Sequence, residues 1–197
     1  MDHPLLKAGL EEARPDDELM ATLVQWQDAP SKKKGFDLNP CSYAMAILIN
    51  RRTRFILWGT GYSSWAIPQQ VFAIKAFLSA LPEGKRLQLH AHHELTRYIE
   101  PDGIGRYAMR HHGRSKSGKP LDCYPAIADI INAYDSRRWS LMPYKDLEEA
   151  PGYFDAEAIA RGKAKTAALK HKADHAPTTA DHPKPIILEE FVDVFPE

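Results

Sequence analysis

Short apolar stretches of strand length, separated by turn-like breaks, dominate the first sixty residues. The first runs over Thr22–Trp26 and stops at Asp28, which precedes Ala29-Pro30. Two more, Tyr43–Ile49 and Arg54–Trp58, flank a polar break at 50–53. Aromatic and β-branched residues favour strands, and a short polar break between two such runs is typical of a hairpin. The pattern therefore predicts one strand followed by an antiparallel pair.

The pattern changes to a helical period after Pro68. Apolar residues recur at helical spacing until Pro82, namely Val71, Ile74, Leu78 and Leu81. Because proline suits the first helical turn and stops a helix further along, this predicts a helix over 70–81. The stretch Leu87–His92 then alternates apolar and polar residues, which predicts a strand with one buried face and with His90 and His92 on the other.

Helical and strand patterns continue to alternate in the second half. Residues 121–134 have helical spacing through Ile127, Ile130 and Ile131, and Trp139–Tyr144 is a short last strand. A further helix begins after Gly152 and continues into an Ala/Lys-rich segment. The predicted order is three strands, a helix, a strand, a helix, a loop, a helix, a strand and a helix.

The two ends of the chain differ in composition from this central part. Residues 1–20 form an acidic, partly helical leader, and 173–185 form a Pro/Thr/His linker after a folded domain at 21–172. Residues 186–197 are apolar and acidic without a basic residue. Such a tail is disordered, covers a groove on its own domain, or docks on a partner.

Composition restricts the class of protein. Of 197 residues, 44% are hydrophobic and 26% are charged, a balance typical of a folded globular protein. No apolar run approaches the roughly 20 residues of a membrane helix, and the first ten residues lack a signal-peptide pattern. We therefore expect a cytoplasmic protein without a membrane partner. Cys41 and Cys123 are too few and too distant for a disulfide framework.

Charge is segregated locally, although 26 basic and 26 acidic side chains cancel overall. The segment Arg106–Lys119, called the basic segment below, has no acidic residue. Its candidate phosphate-binding residues are Arg106, Arg110, His111, His112, Arg114, Lys116 and Lys119. Lys32, Lys33 and Lys34 form a second cluster after the first strand. Cations interleaved with aromatic residues and glycines favour nucleic-acid binding over a merely solvated loop.

The order of elements resembles the type I ribonuclease H family over roughly Thr22 to Lys170. Tyr43–Leu48 is similar to the second strand of that family, and Gly59–Tyr62 is similar to the end of its third. The helix at 70–81 and the segment Glu157–Arg161 fall in matching order. The resemblance implies an α/β fold, ribonuclease H-like, with a five-stranded mixed sheet: three antiparallel strands are followed by parallel ones, with helices on both faces.

The resemblance also implies a catalytic site of four carboxylates that hold two divalent cations. The matching positions here carry Asp28, Gln70, His92 and Glu157, so two of the four carboxylates are absent. Asp28, His92 and Glu157 would be the metal ligands, with Mg²⁺ or Mn²⁺ as the possible cofactor and Zn²⁺ less suited. The mobile histidine of the family has no counterpart in 146–155. If the resemblance holds, the four side chains converge on one pocket.

Each candidate has a plainer interpretation. Asp28 could be a turn residue before a proline, His90 and His92 could be polar surface histidines, and Glu157 could be a solvated helix residue. No third ligand completes the His-x-His pair at a known spacing.

Three functions remain open from the sequence. The leading hypothesis is a ribonuclease H-like protein that binds RNA–DNA hybrid or a related duplex through the basic segment, with weak or no hydrolysis. The alternative is an active metal-dependent endonuclease with an atypical Asp/His/Glu site. The third is a protein-interaction module that uses the acidic tail.

Overall fold

A computed structural model of the chain describes residues 3–27, 39–63, 67–121, 123–174 and 186–194. The strands are β1 (Leu19–Gln27), β2 (Asn39–Ile49), β3 (Arg52–Ser63), β4 (Leu87–His92), β5 (Trp139–Tyr144) and β6 (Ile186–Val194). The α-helices are α1 (Pro4–Glu12), α2 (Ile67–Ala80), α3 (Thr96–Ile99), α4 (Ile104–Arg110), α5 (Ala126–Asp135), α6 (Tyr153–Ile159) and α7 (Lys165–Asp174). A π-helical turn, Ala160–Ala164, joins α6 to α7.

The described strands form one mixed sheet in the order β5-β4-β1-β2-β3-β6. Strands β1, β2 and β3 are antiparallel neighbours, whereas β4 pairs parallel with β1 and β5 pairs parallel with β4. This confirms the α/β class and the predicted sequence of antiparallel and then parallel pairing. Helices also cover both faces, as expected.

The strand count, however, was predicted wrongly: the sheet has six strands, not five. The sixth is β6, which comes from the acidic-apolar tail and pairs antiparallel with β3 from Phe55↔Val194 to Tyr62↔Ile186. The three interpretations of the tail did not include this arrangement: residues 186–194 add an edge strand to the sheet of their own chain and do not lie in a groove. Local sequence did not indicate this pairing because the partner strand lies more than a hundred residues earlier in the chain.

One side of the sheet, called the α2 face, carries the larger core. The predicted stripe of α2 is buried there, including Val71, Ile74 and Phe77, and α5 adds Ile127 and Ile130. Helix α1 joins the same core through Leu6 and Leu10. Its Gly9 faces the Phe55 ring so closely that a Cβ would overlap it. The helix therefore packs directly on the outer part of the sheet.

The other side, called the α6 face, is covered by α6, the π-helical turn and α7. Its seam consists of alanines four residues apart, Ala156, Ala160, Ala164 and Ala168, all buried. Two of the opposing strand residues, Ala44 and Ala46, are also small, although larger ones such as Ile56 lie beside them. Small side chains on both surfaces let the helices approach the sheet closely.

No helix among the described residues is both long and apolar enough to cross a bilayer. Neither Cys41 nor Cys123 is part of a disulfide, and Cys41 is buried. Burial raises the pKa of the Cys41 thiol to about 12, so the reactive thiolate is absent near neutral pH.

Candidate nucleic-acid interface

The helix position matched to a family carboxylate, Gln70, lies against β1. It is 2% exposed, and its Nε2 donates a hydrogen bond to Gln25 Oε1 at 2.8 Å. Its own Oε1 and both amide heteroatoms of the neighbouring Gln69 have no hydrogen-bond partner within the described ranges. Gln25 has no sequence motif around it that would mark it as the partner of Gln70. A neutral, mutually bonded amide pair therefore occupies the place where the resemblance implies a charged ligand.

His92 stands at the end of β4 and is partly exposed. Its Nδ1 lies 3.9 Å from Glu94 Oε2 and accepts a 3.4 Å hydrogen bond from the Glu94 backbone N–H. Its ring centroid is 4.3 Å from that of His93. The local contacts of His92 are thus with the turn that follows its own strand.

Glu157 is already paired on α6. Its Oε1 lies 2.6 Å from Arg161 Nε, one helical turn onward. It also interacts with Tyr153, and burial together with the Glu157 charge raises the pKa of that phenol. These contacts are those of a helix residue in a local ion pair, which agrees with the plainer interpretation of Glu157.

The structure places His92 and Glu157 on the same side of the sheet. His92 shares a strand face with His90, whose register partner Thr22 donates a hydrogen bond from Oγ1 to the Pro151 carbonyl just before α6. Gln70 lies on the opposite side, because Gln25 belongs to the α2 face. No hydrogen bond or ion pair joins any two of Gln70, His92 and Glu157 in the described part of the chain.

The metal site itself remains a prediction, since Asp28 lies outside the described residues. Within those residues, no three His, Cys, Asp or Glu side chains are grouped closely enough to hold a metal ion. Mg²⁺ prefers a set of oxygen ligands. The side chains of Gln70, His92 and Glu157 do not match this preference: the first is hydrogen-bonded to another amide, the second is an imidazole, and the third is already in an ion pair. We therefore derive no chemical step through a bound metal.

His90 is not a surface histidine, contrary to the plainer interpretation. It is 3% exposed, and its Nδ1 lies 3.0 Å from Tyr144 Oη on the adjacent strand. Burial lowers the pKa of His90, which keeps the ring neutral at physiological pH. On the same face of β4, Gln88 and His92 are only partly buried, so the prediction of one buried face fails at His90 alone.

The basic segment begins in α4 and continues as a compact turn. The turn is closed by Leu121 N–H to the Gly113 carbonyl at 2.7 Å and by Ser115 N–H to the Lys119 carbonyl at 2.8 Å. Gly113 has a φ of +78°, and a Cβ there would lie 2.7 Å from the Tyr124 ring. Glycine at this position is therefore required by the turn itself.

The cations of the basic segment differ in their availability. Arg106 donates from both terminal nitrogens to Asp135, at 2.6 and 2.9 Å, and from Nε to the Ile99 carbonyl. This hydrogen-bonded pair raises the pKa of Arg106 and lowers that of Asp135. Arg106 thus fixes α4 to α5, and its guanidinium is less available for a phosphate than the sequence suggested.

The remaining cations lie at the end of α4, in the case of Arg110, and on the turn that follows. Arg110, Arg114, Lys116 and Lys119 are exposed and have no acidic partner among the described residues. Arg114 donates one hydrogen bond to the Gly118 carbonyl at 2.8 Å, which holds its side chain across the turn. His111 and His112 are also exposed, and the His111 ring stacks on Tyr107 at 4.1 Å. Lys116 Nζ lies 5.9 Å from the centroid of Tyr107. Lys32, Lys33 and Lys34 lie outside the described residues.

The sequence matches no family model. It also matches none of the curated proteins. Among solved structures, the fold is similar to that of a foamy viral protease-reverse transcriptase in complex with dsDNA. The TM-score is 0.58 at 9% sequence identity, over 77% of this chain and 97% of that chain. At this identity the likeness concerns the fold alone.

Proposed function

We propose that this protein binds RNA–DNA hybrid or a related duplex through the basic segment and hydrolyses it weakly or not at all. The observation that carries the proposal is a group of four exposed cations: Arg110 ends α4, whereas Arg114, Lys116 and Lys119 lie on the turn that follows, whose backbone is fixed by its own hydrogen bonds. A ribonuclease H-like fold, shared with a viral enzyme in complex with dsDNA, is consistent with a nucleic-acid ligand.

A rigid turn is suited to phosphate binding because its side chains start from fixed positions. Less conformational entropy is then lost when each cation meets a phosphate. The absence of acidic partners matters as well, since a cation already in an ion pair would have to exchange one anion for another. These two properties distinguish the four cations from Arg106.

Weak or absent hydrolysis is supported by the position of Gln70. Its amide is buried and bonded to Gln25, so the position that the resemblance matches to a catalytic carboxylate brings no negative charge. Two cations held close together need several carboxylates to offset their mutual repulsion.

The binding experiment removes the four cations together. We expect the variant Arg110→Ala/Arg114→Ala/Lys116→Ala/Lys119→Ala to bind a labelled RNA–DNA hybrid at least tenfold more weakly at 0.1 M salt. The slope of log affinity against log salt should fall by about 3–4, since each phosphate contact contributes about 0.9.

A matched control removes the same charge elsewhere. Lys7, Arg86, Arg97 and Lys170 are exposed and lie outside the basic segment, so their fourfold alanine variant should keep the parental slope. Equal affinities of the two variants across a salt titration would refute the proposal.

The endonuclease alternative draws support from the placement of His92 and Glu157 on one side of the sheet. In that case, Asp28, His92 and Glu157 would hold one Mn²⁺ or Zn²⁺ ion. A cleavage assay separates the binding proposal from the endonuclease alternative. The protein is incubated with labelled hybrid, duplex RNA or single strands in the presence of Mg²⁺, Mn²⁺ or Zn²⁺ in turn. Cleavage by the parent protein that is lost in the Asp28→Ala variant would favour the endonuclease alternative over the binding proposal.

A further inference from the structure

The outer edge of β3 is occupied by β6. Three side chains of β6, those of Glu190, Phe191 and Asp193, make specific contacts with the rest of the domain. Glu190 points to the α2 face, whereas Phe191 and Asp193 point to the α6 face. Backbone pairing alone would accept almost any extended segment. Selectivity for one sequence therefore has to come from the side-chain contacts of Glu190, Phe191 and Asp193.

Glu190 enters a buried polar site built by both ends of the described chain. Its side chain is only 5% exposed, and its Oε2 lies 3.3 Å from His3 Nε2. The Tyr43 hydroxyl donates a hydrogen bond to the other carboxylate oxygen. Burial and the Glu190 charge raise the pKa of Tyr43 well above its usual value, so the phenol remains a donor. A buried carboxylate is tolerated only with such partners.

Gly59 makes this contact possible. In the sheet, Tyr43 of β2, Gly59 of β3 and Glu190 of β6 stand in one row. A Cβ at Gly59 would lie 2.7 Å from the Tyr43 ring. The missing side chain therefore leaves a passage through which the phenol crosses one strand to reach the next.

The α6 face of β6 is recognised by Trp58 and Lys163. The Phe191 ring stacks on Trp58 with centroids 4.6 Å apart. Asp193 Oδ2 accepts hydrogen bonds from Trp58 Nε1 at 3.2 Å and from Lys163 Nζ at 3.0 Å. One aromatic side chain thus fixes both the residue that stacks on it and the acid two positions onward.

We propose that the edge of β3 is a strand-binding site for an extended partner segment of the pattern Glu-aromatic-x-Asp. Asp193 matches Lys163 in charge, Glu190 matches the hydrogen-bonding groups of Tyr43 and His3, and the aromatic side chain matches Trp58. β6 is the intramolecular occupant, which a partner segment displaces. None of these contacts depends on the covalent connection of β6 to α7.

The test uses full-length protein and a fluorescein-labelled nine-residue peptide with the sequence of residues 186–194. In Glu190→Ala protein the resident strand loses its buried acid while the site is intact. We expect this protein to bind the peptide at least tenfold more tightly than the parent does. Glu83→Ala, which removes an exposed acid in a turn, should behave as the parent.

A second peptide, with glutamine at the position of Glu190, should bind the Glu190→Ala protein at least tenfold more weakly than the first. Three outcomes would each overturn the proposal. The two peptides bind equally, the parent and the Glu190→Ala protein bind the first peptide equally, or the variant self-associates without binding peptide. If Glu190→Ala does not fold, Asp193→Asn takes its place, with the matching asparagine peptide as the second ligand. Binding to hybrid nucleic acid should be unchanged in these variants, which keeps this test separate from that of the basic segment.

Discussion

Replacing Gly59 with alanine tests the row of residues that links the second strand to the last. The new methyl group would lie 2.7 Å from Tyr43 Cε1 and 2.8 Å from its Oη, well inside contact distance. Relieving the overlap costs about 1–3 kcal/mol in a packed core. Moving the ring also breaks the hydrogen bond to Glu190, and a bond to a charged acceptor contributes about 1.5–3 kcal/mol. We therefore expect a loss of about 2.5–6 kcal/mol, against a total of about 5–15 kcal/mol for an ordinary domain.

Urea unfolding followed by circular dichroism measures this loss. With a denaturant slope of about 2 kcal/mol per molar, the middle of the usual range, the midpoint should fall by roughly 1–3 M. Gly162→Ala is the matched control, because a Cβ at this helical position meets nothing within 4 Å. It should leave the midpoint unchanged or raise it, since alanine stabilises a helix.

Tyr43→Phe separates the two contributions, because it keeps the ring and removes only the hydroxyl. Gly59→Ala should cost less in the Tyr43→Phe background than in the parent, since the hydrogen bond is already lost there. A midpoint for Gly59→Ala that equals that of Gly162→Ala would refute the argument.

Two further predictions follow from buried or paired charges. Arg106→Ala should lower the free energy of unfolding by about 1 kcal/mol through loss of the Asp135 pair, while affinity for hybrid falls less than twofold. A larger effect on the affinity for hybrid than on the free energy of unfolding would indicate that Arg106 contacts the nucleic acid directly. Because burial lowers the pKa of His90, the unfolded chain takes up a proton at a higher pH than the folded chain. Stability should therefore fall as the pH drops from 7 to 5, and less steeply in His90→Gln; equal slopes in urea titrations would contradict this.

The parts of the fold that were predictable are those that repeat over a short window. The stripe of α2 is a property of consecutive turns, and Val71, Ile74 and Phe77 are all buried as expected. Strands β2 and β3 follow each other directly, so their hairpin was visible in local sequence. In both cases the interacting residues are near neighbours.

The parts that were not predictable depend on partners far apart in sequence. His3 and Glu190 are 187 positions apart, and Gln25 meets Gln70 across 45 positions. Nor does the composition of the basic segment reveal that Arg106 is held by Asp135, 29 positions later. Such contacts are determined by the packing of whole elements, which no local window contains.

The pairing of the last strand with β3 has a consequence for synthesis on the ribosome. Trp58 and its partner Asp193 are separated by 135 positions. At about 5–20 residues per second, the edge of β3 waits roughly 7–27 s after its own emergence before β6 has been made. During that interval the nascent chain presents an uncovered hydrogen-bonding edge beside an unstacked Trp58, a surface on which other chains can aggregate. Chaperone occupancy on translating ribosomes should accordingly peak between the emergence of β3 and that of β6.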